Sequence, residues 1–276
     1  MIKNRTFNAL PGFRLTMGLA LFYLSGIVLI PMAALFLKAS NLTWIRFWEV
    51  VTDSRAMAAY KLTFGASLVA AFINAVFGTI LAWVLVRYRF PGRKFIDALV
   101  DFPFALPTAV AGLTLSNLFA DNGWLGQYLV PLGFHGAFTR VGVVLALTFV
   151  GMPFAVRTLQ PVLEHLDRGV EEAAATLGAG RWRTFLFVIG PMLAPTVITG
   201  FALSFARSVG EYGSIVFISG NKAFETEIAP QLIVFRLEEY QYLEATAIAV
   251  VLLVISFVIL IGINCLENWA QRFSVK

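Results

Sequence analysis

Charge is what this sequence has least of. Charged residues make up 13% of it against 59% hydrophobic ones, and the mean hydropathy is +0.79, whereas an ordinary soluble chain is about one quarter charged. Cysteine is almost missing: Cys265 stands alone, which excludes an internal disulfide and a cysteine metal site. Only two histidines occur, His135 and His165, too far apart in sequence for a His-rich metal motif. No G-x-x-x-x-G-K-[ST] loop is present, and none of the lysines follows a glycine. The chain therefore has no phosphate cradle of its own and no means of hydrolysing ATP alone. Nor is there a serine, histidine and acid grouping of the kind a hydrolase needs, so a non-catalytic chain is expected. The net charge of +5 is not gathered into a basic stripe with interleaved aromatics, which argues against nucleic acid.

What is present is a set of apolar runs. Six of them match, or nearly match, the ~20 residues that a helix needs to cross a hydrocarbon layer of about 30 Å. They predict an all-α membrane protein in one transmembrane domain, residues 1–276, with helices at about 15–37, 62–86, 102–120, 141–159, 188–210 and 245–266. The first run is basic at its start, as a signal peptide would be, but its 23 uncharged residues exceed an ordinary signal core, and it reads as a retained helix. Lys and Arg then fix the orientation. With the N-terminus inside, 13 of the 21 lie in inner segments and 7 in outer ones, leaving Arg207 within the membrane. The positive-inside bias therefore places both termini in the cytoplasm of a multi-pass membrane protein, surrounded by lipid.

The inner loop at 160–187 is predicted to be structured. Asp167 can cap a short helix, Glu171 and Glu172 fall where the helix dipole favours anions, and Gly178 suits its end. Val170, Ala173, Ala174 and Leu177 make an i, i+3, i+4, i+7 stripe. The small residues on it would let another surface come close to the backbone. Spacing alone admits two readings, a docking surface for another chain and a helix packed beneath its own bundle.

These residues resemble a known signature. Glu172-Ala173-Ala174, three residues, Gly178, nine residues, then Val188-Ile189-Gly190-Pro191 is similar to the E-A-A-x3-G-x9-I-x-L-P motif of membrane subunits of bacterial ABC importers. It departs by Val188 for Ile and Gly190 for Leu. Beyond the signature, "YRFPGRKFIDALVDFPFALPTAVAGLTL", "VRTLQPVLEHLD" and "FARSVGEYGSIVFISGN" resemble the sulfate/thiosulfate permease branch, and the R-x-x-G-E-[FY]-G portion is shared with molybdate and tungstate permeases. The resemblance implies a type I (MetI-like) importer permease in the bacterial inner membrane. It further implies a coupling helix carrying Glu172, Ala173, Ala174 and Gly178, to which the helix pattern adds Glu171 and Leu177 as coupling residues. The implied partners are a second related permease subunit, two ATPase subunits that hold ATP and Mg, and a periplasmic sulfate/thiosulfate-binding protein. A molybdate/tungstate permease is the alternative within the class, and a secondary anion transporter working alone is the alternative outside it.

Two further features concern a pathway. Pro107-Thr108-x3-Gly112-x2-Leu115-Ser116 repeats as Pro195-Thr196-x3-Gly200-x2-Leu203-Ser204, at a constant offset of 88. Either the third and fifth spans are equivalent helices lining a common axis through Pro107, Thr108, Gly112, Thr196 and Gly200, or small-residue helices match by chance. Arg207 and Glu211 lie one turn apart near the outer end of the fifth span, beside Gly210 and Gly213. A charge in hydrocarbon costs at least about 2.5 to 3.5 kcal/mol, so the pair is expected to face protein or water. It reads either as a contact or gate for a passing anion, or as a structural tie.

Overall fold

The computed structural model describes residues 13–274, and no strand occurs among them. Helix α1 covers residues 13–39 and contains a π-helical turn at Ser25–Leu29. It is followed by α2 (Trp44–Val51), α3 (Ser54–Arg87), α4 (Arg93–Val100) and α5 (Thr108–Phe119). Then come α6 (Arg140–His165), α7 (Arg168–Thr176), α8 (Arg181–Val209, with a π turn at Phe185–Ile189), α9 (Ala229–Glu238) and α10 (Tyr242–Ser274).

Among the described residues five helices are long and apolar enough to cross a membrane: α1, α3, α6, α8 and α10. The sixth expected span, 102–120, is interrupted. A short turn, Phe102–Ala105, is followed by Leu106 in extended conformation, and α5 begins only after Pro107. Proline pushes its preceding residue out of the helical region. The remaining 12 residues of α5 rise about 18 Å, short of the hydrocarbon thickness.

Two other boundaries differ from the expectation. Helix α6 continues to His165 and α8 starts at Arg181, so the loop between them shrinks from 160–187 to 166–180. Within α6 the Arg157 guanidinium pairs with Asp97 of α4 and with Asp101 just after it, each at 2.6 Å, so its charge is neutralised within the bundle.

The centre of the fold is the packing of α3, α6 and α8. Close approach is made by glycines: a Cβ on Gly78 would lie 2.9 Å from that of Ala155, and one on Gly200 would lie 3.2 Å from the Ala155 Cα. In a membrane, where apolar burial gives helices little reason to associate, such close contact is what holds them together. At mid-length, buried Asn74 donates to the buried Ser204 hydroxyl at 2.9 Å, and Gly151 leaves room for both. Helix α10 packs on α8, and α1 packs on α10. Because Arg87 at the end of α3 meets Glu171 of α7, while Lys38 near the end of α1 covers Tyr242 at the start of α10, both described chain ends lie at the α7 end of the bundle.

Candidate functional site

Helix α7 is defined by its own residues at both ends. Asp167 accepts the Gly169 N–H at 2.9 Å. At the other end Gly178 takes φ +79°, a conformation costly for any residue with a Cβ, and the Ala179 and Gly178 N–H groups close back on Ala174 and Ala175. That is a Schellman stop.

The four-residue stripe splits in two. Ala174 is only 8% exposed and Val170 is half-buried, and the helix packs against the Arg181–Thr184 turn and the π turn of α8. Ala173 and Glu172 are exposed, and Leu177 is 88% exposed. Each of the two readings of the stripe therefore describes part of it: Ala174 and Val170 pack within the chain, while Ala173 and Leu177 are exposed. Trp182, on the turn that α7 packs against, is also exposed.

Glu171 differs from its neighbour Glu172. Its carboxylate lies 2.8 Å from the Arg87 Nη2, in a contact of opposite charges whose N–H vectors are not aligned for a hydrogen bond. Arg87 also covers the Trp83 ring at 5.2 Å, and Trp83 meets Phe185 of α8 edge-on at 5.6 Å. The chain thus links α7 to the far end of α3 through groups that sequence spacing did not single out. Tryptophan four residues before arginine on a helix was the available signal, because that spacing places the two on one face.

Helix α4 is held by Arg157 of α6. Arg157 grips Asp101 with two nitrogens, at 2.8 and 2.6 Å, and Gln160 donates to Asp97 at 3.0 Å. The Gln160 amide and the Arg157 guanidinium hold the Asp97 carboxyl below the usual carboxylate range.

One turn beyond Ser204, toward the C-terminal end of α8, Arg207 and Glu211 do meet. Arg207 Nη1 is 2.6 Å from Glu211 Oε2, with Glu211 only 2% exposed and Arg207 31%. The other oxygen, Oε1, accepts both the N–H and the hydroxyl of Ser214, each at 2.9 Å. Glu211 is thereby satisfied on both oxygens, and it fixes the turn that follows α8. This turn presses on α5: a Cβ on Gly213 would collide with the Thr108 hydroxyl, and one on Gly112 with the Ser214 carbonyl.

Of the residues expected along a pathway, then, Thr108, Gly112, Gly213 and Glu211 come together in one junction. Thr196 and Gly200 do not join them, since Gly200 faces Ala155 of α6. The two halves of the sequence repeat occupy unlike surroundings. Pro107 is exposed at the head of α5. Gly210 has open space around it and lines an apolar groove of about 490 Å³ with Met32 and Phe257, so backbone freedom is not what glycine supplies there.

Comparison with known proteins fits this architecture. Residues 74–270 match the family model described as binding-protein-dependent transport system inner membrane component. The chain is 48% identical over 259 residues to the sulfate transport system permease protein CysT of Escherichia coli K12, covering 94% of each. It is 54% identical over 252 residues to the protein of the same name from Synechococcus elongatus, covering 91% of each. Among solved structures, a bacterial alginate ABC transporter in complex with a pentasaccharide-bound periplasmic protein aligns with a TM-score of 0.75 at 18% identity, over 95% of this chain and 96% of that one. The inward-facing MetNI methionine ABC transporter aligns at 0.58 and 16% identity, over 83% and 99%. At such identities the structures speak for the fold. The family match over most of the chain, the sequence relatives and the five long apolar helices agree, and the chain belongs to the inner membrane components of binding-protein-dependent transport systems.

Proposed function

We propose that this chain is a membrane-spanning subunit of an ATP-driven importer for sulfate or thiosulfate. The observation that carries the reading is near 50% identity, over more than nine tenths of its length, to proteins named as sulfate transport permeases. In this reading the α7 end is cytoplasmic, and the exposed Glu172, Ala173 and Leu177 dock on a separate ATPase subunit that holds ATP and Mg. A second related permease subunit and a periplasmic binding protein complete the assembly.

The geometry supports a route for the coupling. A displacement of α7 reaches α8 through the packing of α7 on the α8 start, and it reaches α3 through Glu171 and Arg87. Helix α8 then runs about 24 Å from Pro191 to Arg207 at ~1.5 Å per residue. There Glu211 and Ser214 tie its end to the turn packed on Thr108 and Gly112 of α5. Movement driven at one membrane face is thus delivered to a junction deep in the bundle, and the chain itself needs no ATP site. Co-expressing the chain with the other subunits and measuring sulfate-stimulated ATP hydrolysis tests the reading. Stimulation is expected with the intact chain, and sulfate accumulation in the absence of any ATPase subunit would overturn it.

A further inference from the structure

Helix α4 belongs to the α7 end of the bundle, because it starts six residues after the Arg87 that meets Glu171 of α7. Its residues divide cleanly by helical phase. Val100 is buried, Arg93 and Asp97 are half-buried, and these three share one side of the helix. On the opposite side stand Phe95 and Leu99, one turn apart, with Phe102 next along the chain; they are 67%, 44% and 47% exposed. Charge fixes this rotation. Arg157 bonds both Asp97 and Asp101, and Gln160 donates to Asp97, so α6 grips the carboxylate side and the apolar side faces away from it.

Cations flank the free side. Arg89, in the turn before α4, and Lys94, in its first turn, are exposed, and neither has a carboxylate or a ring as partner among the described residues. The carboxylates of α4 are not available to them, since Arg157 holds both. Water is a poor neighbour for Phe95 and Leu99, while a protein surface would have to bring acids for Arg89 and Lys94. Anionic phospholipid supplies both partners at one depth, acyl chain for the rings and phosphate for the cations. The approach to α4 along the chain agrees. Helix α3, long and apolar enough to cross the membrane, exposes Phe72, Val76, Phe77 and Ile80, and it leads into α4 through exposed Tyr88, a residue type enriched at membrane surfaces. The break at Leu106 and Pro107 completes the picture, because it separates α4 from α5 and leaves α4 a short element of its own.

We infer that α4 lies in the surface of the bilayer and binds anionic phospholipid there, with Phe95 and Leu99 among the acyl chains and Arg89 and Lys94 on the phosphates. Its grip on α6 through Arg157 would then tie the bundle to the membrane plane. The lipid contact rests on this chain's own surface; only the leaflet, the cytoplasmic one, rests on the proposed orientation of the α7 end.

The test places a fluorophore on the free side. Cys265→Ser removes the lone cysteine of this chain, and Leu99→Cys is then labelled with bimane in the assembled complex, its other subunits made cysteine-free, reconstituted in vesicles of phosphatidylcholine and phosphatidylglycerol. Quenching is compared for iodide in the water, for phosphatidylcholine bearing a nitroxide near its headgroup, and for phosphatidylglycerol bearing the same group. A cation near an anionic membrane surface is worth about fivefold in binding. The lipid nitroxides should therefore quench and iodide should not, with phosphatidylglycerol preferred several-fold over phosphatidylcholine. Arg89→Gln with Lys94→Gln should bring that preference close to one while the complex stays assembled. Quenching by iodide alone would show the face to be in water, and no quenching by any agent would show it covered by a partner subunit; either overturns the inference. Equal quenching by the two lipids in the chain that keeps Arg89 and Lys94 also overturns it, a result that needs no further variant to fold. Transport does not enter these measurements, so a complex that gives the expected quenching but no sulfate uptake would count against the transport reading alone.

Discussion

Replacing Arg207 by leucine should destabilise this protein more than replacing Glu211 by glutamine, although the two residues form one ion pair. Glu211 is 2% exposed and Arg207 31%. Removing the arginine leaves a carboxylate with no water and only the two Ser214 donors. Breaking a buried pair from one side costs about 3–5 kcal/mol, and the surviving Ser214 bonds place this case at the lower end. Removing the carboxylate leaves a guanidinium that reaches solvent, and the amide oxygen still accepts from Ser214. That change should cost about 0.5–1.5 kcal/mol, the worth of an ordinary hydrogen bond.

The exchange of the two residues is also informative. In a simple tie it should preserve the attraction. Here it places a guanidinium where Ser214 directs an N–H and a hydroxyl, donors facing donors, so Arg207→Glu with Glu211→Arg should recover no stability. Replacing both by leucine should be milder than Arg207→Leu alone, because no charge is left stranded. Unfolding of the purified chain in mixed micelles by titrated dodecyl sulfate, followed by tryptophan fluorescence, measures all four. Equal losses for Arg207→Leu and Glu211→Gln, or full recovery in the exchanged variant, would refute the burial asymmetry. The double leucine variant then separates structure from transport: if it folds and still transports, the pair is only a tie.

Leu177→Asp should leave insertion and stability within about 0.5 kcal/mol of wild type, as for other exposed sites, while co-purification of the ATPase subunit falls about tenfold or more. Ala174→Trp should instead disrupt α7 itself, visible as protease sensitivity of residues 166–180, because that side chain is buried in its own chain. Glu171→Gln should keep the ATPase bound but leave its ATP hydrolysis insensitive to sulfate and binding protein; unchanged stimulation would remove Arg87 and Glu171 from the coupling route. Gly112→Val should lower the yield of folded protein sharply, whereas Gly210→Ala should not, a contrast readable by size-exclusion chromatography. For Asp97 the folded carboxyl is depressed relative to the unfolded one, so its stabilising contribution is complete above the ordinary value of 3.8 and is lost as pH falls below it. Unfolding curves across that range should show acid weakening that Asp97→Asn abolishes.

Five of the spans and the short helix α7 were legible because hydropathy and turn chemistry are local. The capping of α7 by Asp167 and its stop at Gly178 follow from single residues and their immediate neighbours. What eluded sequence reading depends on distant partners. Glu171 and Glu172 are adjacent and chemically identical, and only the position of Arg87, 84 residues earlier, decides that one turns inward and the other outward. The pairing of Arg157 with Asp97 and Asp101 was not legible because those carboxylates lie some sixty residues away. The repeat between the third and fifth spans was real as a pattern, yet Gly112 receives a loop and Gly200 receives a helix, a distinction that composition does not carry. The i, i+4 spacing revealed that Arg207 could meet Glu211. It gave no sign of the Ser214 donors that fix which of the two must carry the negative charge.

The most direct test of the account is uptake of radiolabelled sulfate into proteoliposomes holding the reconstituted complex, with the binding protein outside and ATP enclosed. The account predicts accumulation that requires ATP, the binding protein and this chain together, and that Leu177→Asp abolishes through loss of the ATPase. Accumulation by this chain alone, at the same rate with and without ATP, would contradict it.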